Sequence, residues 1–358
     1  MTQLVRAIVD TRALQRNLAA VRGFAPGSRV MAVVKANAYG HGLVPTALAL
    51  ADADGFAVAR LEEGAALRRA GLRHPILLLE GVLDDAQLNE AAHQDFDLVV
   101  HGENHIELLE RQTGPYRFRI WVKIDTGMSR LGFRVDEFPG AWKRLTSLAS
   151  VAPRPRIMTH LANADLRGDP KTREQIAAFR RVTAGLNAET SIANSAGILA
   201  WPESHGDWVR PGLLLYGISP FAGERAEKFG LVPAMTLVTR VIAVRAVRSG
   251  ESVGYASTWV AERQTRIAIA AAGYGDGYPR NVASGTQVLV NGRSCPLVGR
   301  VSMDMIAVDV TDGPAPVAGD EVVLWGRGLP VEVVAAQAGT IPYELICGVS
   351  QRVLHEII

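Results

Sequence analysis

The stretch RVMAVVKANAYGHGLVPTALALADADGFAVARLEEGAALRRAGLRHPILLLE, residues 29–80, decides the fold. It opens on an unbroken apolar run at 29–34, passes through an Ala/Leu-rich segment at 43–51, and reaches a second apolar run at 55–58. A helical segment at 61–70 follows, with Leu61 and Ala65 on one face and the charges elsewhere, and then a third run at 76–80. Short apolar runs without alternation suit strands buried on both faces, as in a parallel sheet. Downstream, similar runs recur at 98–100, 118–124, 156–160, 190–193 and 208–215. Helical spacing fills the intervals 84–92, 103–112, 136–149 and 171–187, the first of them opening on Asp84 and Asp85, which favour a helix start. Eight strands alternating with helices over roughly 220 residues predict an N-terminal (β/α)8 barrel of the TIM type. A doubly wound open sheet is the alternative, because periodicity does not say whether the sheet closes.

From about residue 229 the texture changes. LVTRVIAVRAV (237–247), RIAIAAA (266–272) and EVVLW (321–325) read as strands, and QVLVNGRSCPLVG (287–299) carries Asn291-Gly292 between two apolar runs. Asn-Gly is a strong hairpin signal, since both turn residues take positive φ. One helical stretch, 330–338, interrupts the strands. The expected division is therefore an α/β barrel over 1–228 and a mostly β domain over 229–358.

Composition bounds the function. The 358 residues are 48% hydrophobic and 21% charged, which excludes a disordered or collagen-like chain. A formal net charge of +2 without a basic stripe speaks against nucleic-acid binding. Cys295 and Cys347 are the only cysteines, so a disulfide framework or a cysteine-rich zinc site is excluded and a reducing compartment is expected. The start MTQLVRAIVD lacks a signal-peptide pattern, and no 18 apolar residues run together. No membrane partner and a cytoplasmic location are expected.

In a barrel, chemistry sits at the C-terminal ends of the strands. There the sequence places Lys35, Lys123 with Arg130 in the following loop, His160, Asn194 with Ser195, and Arg210 with Gly212. Each alone reads as a surface or turn residue; converging from at least five strands, they read as a site. Ser195 and Gly212 follow strands seven and eight, where barrels commonly bind phosphate. A strand-end lysine, a phosphate site and an arginine together suggest pyridoxal phosphate. Competing motifs fail: GYGDGYPR (273–280) has Tyr278 in place of the last glycine of GxGxxG. HGENH (101–105) offers two histidines at i,i+4 but no third ligand, and reads as a solvated helix start, so no metal is expected. Cys347, flanked by apolar residues, is expected to be buried and inert.

VVKANAYGHG (33–42) closely resembles the cofactor-lysine signature of bacterial alanine racemases, and the resemblance continues through KIDTGMSRLGF (123–133), ANSAG (193–197), WVRPGLLLYG (208–217), VGYASTW (253–259), GYGDGYPR, VGRVSMDM (298–305) and PYELIC (342–347). It implies a barrel-plus-β-domain fold, pyridoxal 5'-phosphate as cofactor, and a homodimer that interconverts L- and D-alanine, whether to supply D-alanine as a peptidoglycan precursor or for catabolism. By motif, Lys35 resembles the cofactor lysine and one of two catalytic bases, and Tyr255 the other, supplied by the partner subunit. Tyr39, Ser195, Gly212 and Tyr343 resemble the phosphate contacts, and Arg210 the donor to the pyridine nitrogen. Arg130 resembles the arginine near the substrate carboxylate, and Lys123 a lysine, often carbamylated, that buttresses it. His160 resembles the histidine beside the cofactor arginine. Met303 and Asp304 resemble partner-subunit residues on the substrate side, and Tyr274 an entrance residue. Leu161 and Ser302 stand where many relatives have Phe and Cys. The alternatives are a broader-range amino-acid racemase, a related decarboxylase and a non-catalytic pyridoxal phosphate carrier. The second domain argues against the carrier, Arg210 in place of an acid against the decarboxylase, and the missing signal peptide against the broad-range racemase.

Overall fold

Eight parallel strands form where the apolar runs stand: Arg29–Val33, Gly55–Val58, Ile76–Leu78, Asp97–Val100, Ile120–Asp125, Arg156–Met158, Thr190–Ser191 and Trp208–Val209. Each pairs with the next, and Trp208–Val209 returns to pair with Arg29 and Val30, so the sheet closes. This computed structural model describes residues 3–358. The open-sheet alternative is thereby discarded. Strand residues such as Val30–Val33 and Gly55–Val58 are buried, which is why the runs carry no polar alternation. Strand eight is shorter than the 208–215 run: after Val209 the chain turns through Leu213–Tyr216.

The helices between strands follow the expected intervals. Asp84 caps Asp85–His93 by accepting from the Gln87 amide at 2.8 Å, and satisfies a donor that the helix itself cannot. Ser195, expected at the end of the seventh strand, begins a short helix just past it, Ser195–Ala200, capped by Asn194. Glu103–Glu110 carries His105, which is buried rather than solvated; its ring meets His101 edge-on and burial pushes it down to about 4. At the N-terminal ends of the strands, the buried Asp97 accepts from Arg119 at 2.6 Å, Arg156 at 2.8 Å and Trp121 at 3.2 Å. Arg156 also reaches Glu189, which pairs with Arg29.

In Cα packing, Asn17–Ala38 and Leu43–Leu215 form one unit; residues up to Arg16, Tyr39–Gly42 and Tyr216–Ile358 form the other. In the second unit, strand Met235–Val247 pairs with Glu321–Trp325 through its first half and with Thr265–Ala270 through its second, with a register shift between Val241 and Ala243. That bulge lets one strand serve both neighbours, closing a ring with Ile306–Asp309, Arg293–Val298 and Gln287–Val290. The hairpin at Asn291-Gly292 forms with both residues at positive φ. Strand Arg6–Val9 departs from the expected assignment of 1–228 to the barrel: it lies between Met235–Val247 and Leu354–Ile357 in the β unit. The expected helix at 330–338 forms as Val331–Gln337, and a second, Pro342–Cys347, follows it. Cys347 is exposed rather than buried. Among the described residues, no helix is long and apolar enough to cross a membrane.

Candidate active site

Lys35 ends the first barrel strand, and the backbone changes hand immediately after it. Ala36, Asn37, Ala38 and Tyr39 have φ of 53°, 54°, 53° and 50°. Left-handed helix costs about 1–2 kcal/mol per L-residue, so these four raise the turn on the order of 4–8 kcal/mol. Hydrogen bonds from both flanks hold it. Glu63 Oε1 accepts from the Ala36 amide at 2.7 Å, Asn37 Oδ1 accepts from Leu43 at 2.8 Å, and Ala38 donates to the Val34 carbonyl at 2.8 Å.

Around Lys35 at the C-terminal rim stand Lys123, Arg130, His160 and Arg210. Lys123 is buried, and burial together with Arg210 and Arg130 pushes it down to about 8. Burial, then Arg210, Lys123, Arg130 and Lys35, hold the His160 imidazole well below its ordinary value. Arg210 is buried and drops to about 10, which leaves it charged at neutral pH. Its guanidinium is fixed by donation to Ser191 Oγ at 2.5 Å and to the Thr159 carbonyl at 2.6 Å.

Asp125 partly offsets the charge on Lys123, but its oxygens are taken by its own loop. Oδ1 accepts from Gly127, Met128 and Ser129, and Oδ2 from Arg130, between 2.8 and 3.1 Å. Burial works against its charge, yet these donors hold the carboxyl below the ordinary range. The loop that carries Arg130 is thus folded around one aspartate. Gln175, fully buried, ties that loop to the next by donating to Thr126 Oγ1 and to the His160 carbonyl.

Ser195 and Gly212, expected to share a phosphate, lie together: the Gly212 amide donates to Ser195 Oγ at 3.0 Å. The cationic rim, with a hydroxyl and a glycine amide at the ends of strands seven and eight, is a donor set suited to a multiply charged anion. Such a set would suit a phosphorylated cofactor.

The other expected site residues belong to the β unit. Tyr39 is buried, its ring stacked on Tyr216 with centroids 5.0 Å apart and tilted against Tyr343 at 5.5 Å. Burial, with Tyr343 and Cys347 beside it, pushes the Tyr39 phenol up, so it keeps its proton and can donate. The turn's end is fixed by His41 Nδ1 on the Tyr39 carbonyl at 2.9 Å and by His355 on the Gly40 carbonyl at 2.7 Å. Tyr255 stands at the tip of the hairpin Ser252–Val253/Trp259–Val260, 67% exposed. Tyr274, Met303 and Asp304 form one group: the amides of Tyr274 and Gly275 donate to the carbonyls of Ser302 and Met303, and Arg352 bridges Asp276 at 2.8 Å and Asp304 at 2.7 Å.

Glu63, Asp125, Gln175, Ser191 and Arg352 are organisers that the motif reading did not single out. Glu63 alone carried a local signal, as an acid in the first turn of a helix.

The family model described as the alanine racemase N-terminal domain matches residues 9–220, and the C-terminal domain model matches 234–357. An alanine racemase of Aeromonas hydrophila subsp. hydrophila is 53% identical over 352 residues, 98% of this chain and 99% of that one. One of Shewanella sediminis is 48% identical over 353 residues, 99% of each. The crystal structure of the biosynthetic alanine racemase from Pseudomonas aeruginosa superposes with a TM-score of 0.96 at 43% identity, covering all of both chains. That of alanine racemase from Acinetobacter baumannii gives 0.95 at 39% identity, again over all of both. The barrel with its cationic rim, the β unit and both domain matches agree: the chain belongs to the alanine racemase family.

Proposed function

We propose that this protein interconverts L- and D-alanine with pyridoxal 5'-phosphate, acting in the cytoplasm as a homodimer with shared active sites. The observation that carries the reading is the convergence of Lys35, Lys123, Arg130 and Arg210 beside the Ser195–Gly212 contact, with Asp125 occupied by its own loop. Lys35, Tyr39, Ser195, Arg210, Gly212 and Tyr343 would hold the cofactor. When bound, pyridoxal phosphate supplies an electron sink for the pair left on Cα.

Racemisation removes a proton from one face of Cα and returns one to the other. In this reading the Lys35 amine serves one face and the Tyr255 hydroxyl, from the partner subunit, the other. Arg130 takes the substrate carboxylate, Met303 and Asp304 bound the substrate side from the partner, and Tyr274 lines the entrance. Arg210 can only donate, so against the cofactor's ring nitrogen it would leave that nitrogen unprotonated and the electron sink modest. That favours return of the proton to Cα over side reactions. The exposure of Tyr255 in a single chain supports its use by a neighbour. At about 8, Lys123 keeps a share of free amine near neutral pH, which carbamylation requires; a carbamate there would supply the missing negative charge and buttress Arg130.

The test is chiral analysis of L-alanine incubated with purified protein and pyridoxal phosphate, with serine in parallel. D-alanine approaching parity supports the reading, and serine turnover at a similar rate would turn it toward a broader-range racemase. Cofactor binding with no change of hand in either amino acid would leave a carrier. Lys35→Ala and Tyr255→Phe each abolish turnover on this reading, and specific activity falls on dilution below the dimer's dissociation constant.

A further inference from the structure

We infer that Glu63 is a positioning residue for Lys35, holding the peptide between Lys35 and Ala36 in the orientation that aims the lysine amine. The inference rests on the reading of Lys35 as cofactor lysine and base.

Glu63 sits in the first turn of helix Leu61–Arg69, after the second barrel strand. Its Oε2 accepts from the amides of Ala59 at 2.8 Å and Arg60 at 3.2 Å, which is the ordinary work of an acid at a helix start. Its Oε1 goes further and accepts from the Ala36 amide at 2.7 Å. That contact does nothing for the helix. It ties the end of strand two to the end of strand one, neighbours in the sheet. Ala36 is the first residue of the left-handed turn, so its amide belongs to the one peptide at which the hand changes. The Cα of Lys35 is the other end of that peptide. An ionised acceptor makes the hydrogen bond a strong one. The Asn37 side chain ties the turn to Leu43 downstream and the Ala38 amide ties it back to the Val34 carbonyl, while Glu63 is the side chain that accepts from the Ala36 amide itself.

The two oxygens allow the roles to be separated. Glu63→Gln retains one oxygen, enough to cap the helix, and replaces the other with a donor that cannot accept from Ala36. Glu63→Ala removes both. Small misplacements of a reacting group can lower a rate about a hundredfold. The expected result is a kcat lowered about tenfold in Glu63→Gln and more in Glu63→Ala, with KM for alanine changed less than about threefold. A primary isotope effect with α-deuterated alanine should rise in only one direction of racemisation, the one in which Lys35 removes the proton. Independently of turnover, amide hydrogen exchange in holoenzyme should quicken across residues 33–43 and stay unchanged in the helix at 61–69 of Glu63→Gln.

Wild-type rates and exchange in folded Glu63→Gln overturn the inference. So does an isotope effect that rises equally in both directions alongside a lower melting temperature, because that is loss of fold rather than of aim. Should Glu63→Ala not fold, Glu63→Gln carries the test alone. Lys35→Ala racemising at the wild-type rate would overturn the two-base reading and this role with it. An inactive Lys35→Ala with unaltered Glu63 variants removes only the role given to Glu63.

Discussion

Arg210 meets Nδ1 of His160 at 3.5 Å while donating to the carbonyl of the preceding residue, Thr159, at 2.6 Å. A guanidinium has no acceptor, so this neighbour assigns the imidazole proton to Nε2. Burial and four surrounding cations keep the second proton off. The plot of log kcat/KM against pH should therefore show no inflection from His160 between pH 5 and 8. An inflection near 6.5 that disappears in His160→Gln would contradict the assignment.

Lys123 works against the fold. Its value in the folded protein, about 8, lies below the ordinary 10.5. Between those values the unfolded chain binds a proton that the folded one does not, so stability falls as pH drops from about 10.5 to about 8. Below that the penalty is complete, about 3 kcal/mol. Lys123→Met should raise the melting temperature of the cofactor-free protein at pH 7 by a few degrees while lowering activity. A lower melting temperature would mean that something neutralises Lys123 even without cofactor.

Gly40 has no room for a side chain. A Cβ there would lie 1.9 Å from the Ile346 carbonyl oxygen, and φ is +77°. Both effects act together in Gly40→Ala, with overpacking alone worth about 1–3 kcal/mol. Urea unfolding should show at least that loss.

Asp97 lies at the opposite end of the barrel from the site. Asp97→Asn removes a buried charge and leaves Arg119 to Asp95 and Arg156 to Glu189, at about 1–3 kcal/mol for the hydrogen bonds lost. The urea midpoint should fall accordingly, with kcat per folded molecule unchanged. A matching fall in kcat would show that strain at the strand N-termini reaches the rim.

Most of the barrel was legible because a parallel sheet buried on both faces leaves unbroken apolar runs, and all eight became strands. The half-buried Arg6–Val9 gave no such run; its partners lie more than two hundred residues away, which periodicity does not report. Lys35, Arg210 and their neighbours were readable as strand-end polar groups and then by motif. Glu63, Asp125 and Gln175 were not, because each acts on backbone amides and carbonyls. Which amide a carboxylate meets is set by the fold, and the side-chain letter alone does not record it. His105 misled for the related reason that an i,i+4 histidine pair reads the same on a wet helix face and a dry one.

The placement of Arg6–Val9 bears on how this protein could be taken apart. The first strand of the chain is an inner strand of the second unit, with Met235–Val247 on one edge and Leu354–Ile357 on the other, and Thr11 bonds the carbonyl of Ile358. A gene fragment ending at residue 228 would carry that strand away from both neighbours and leave two bare edges, a template for aggregation. Neither half can be cut free with one pair of scissors. Joining residues near the two chain ends by a short linker and opening the chain at a surface loop is the rearrangement this topology tolerates, since those ends already lie side by side.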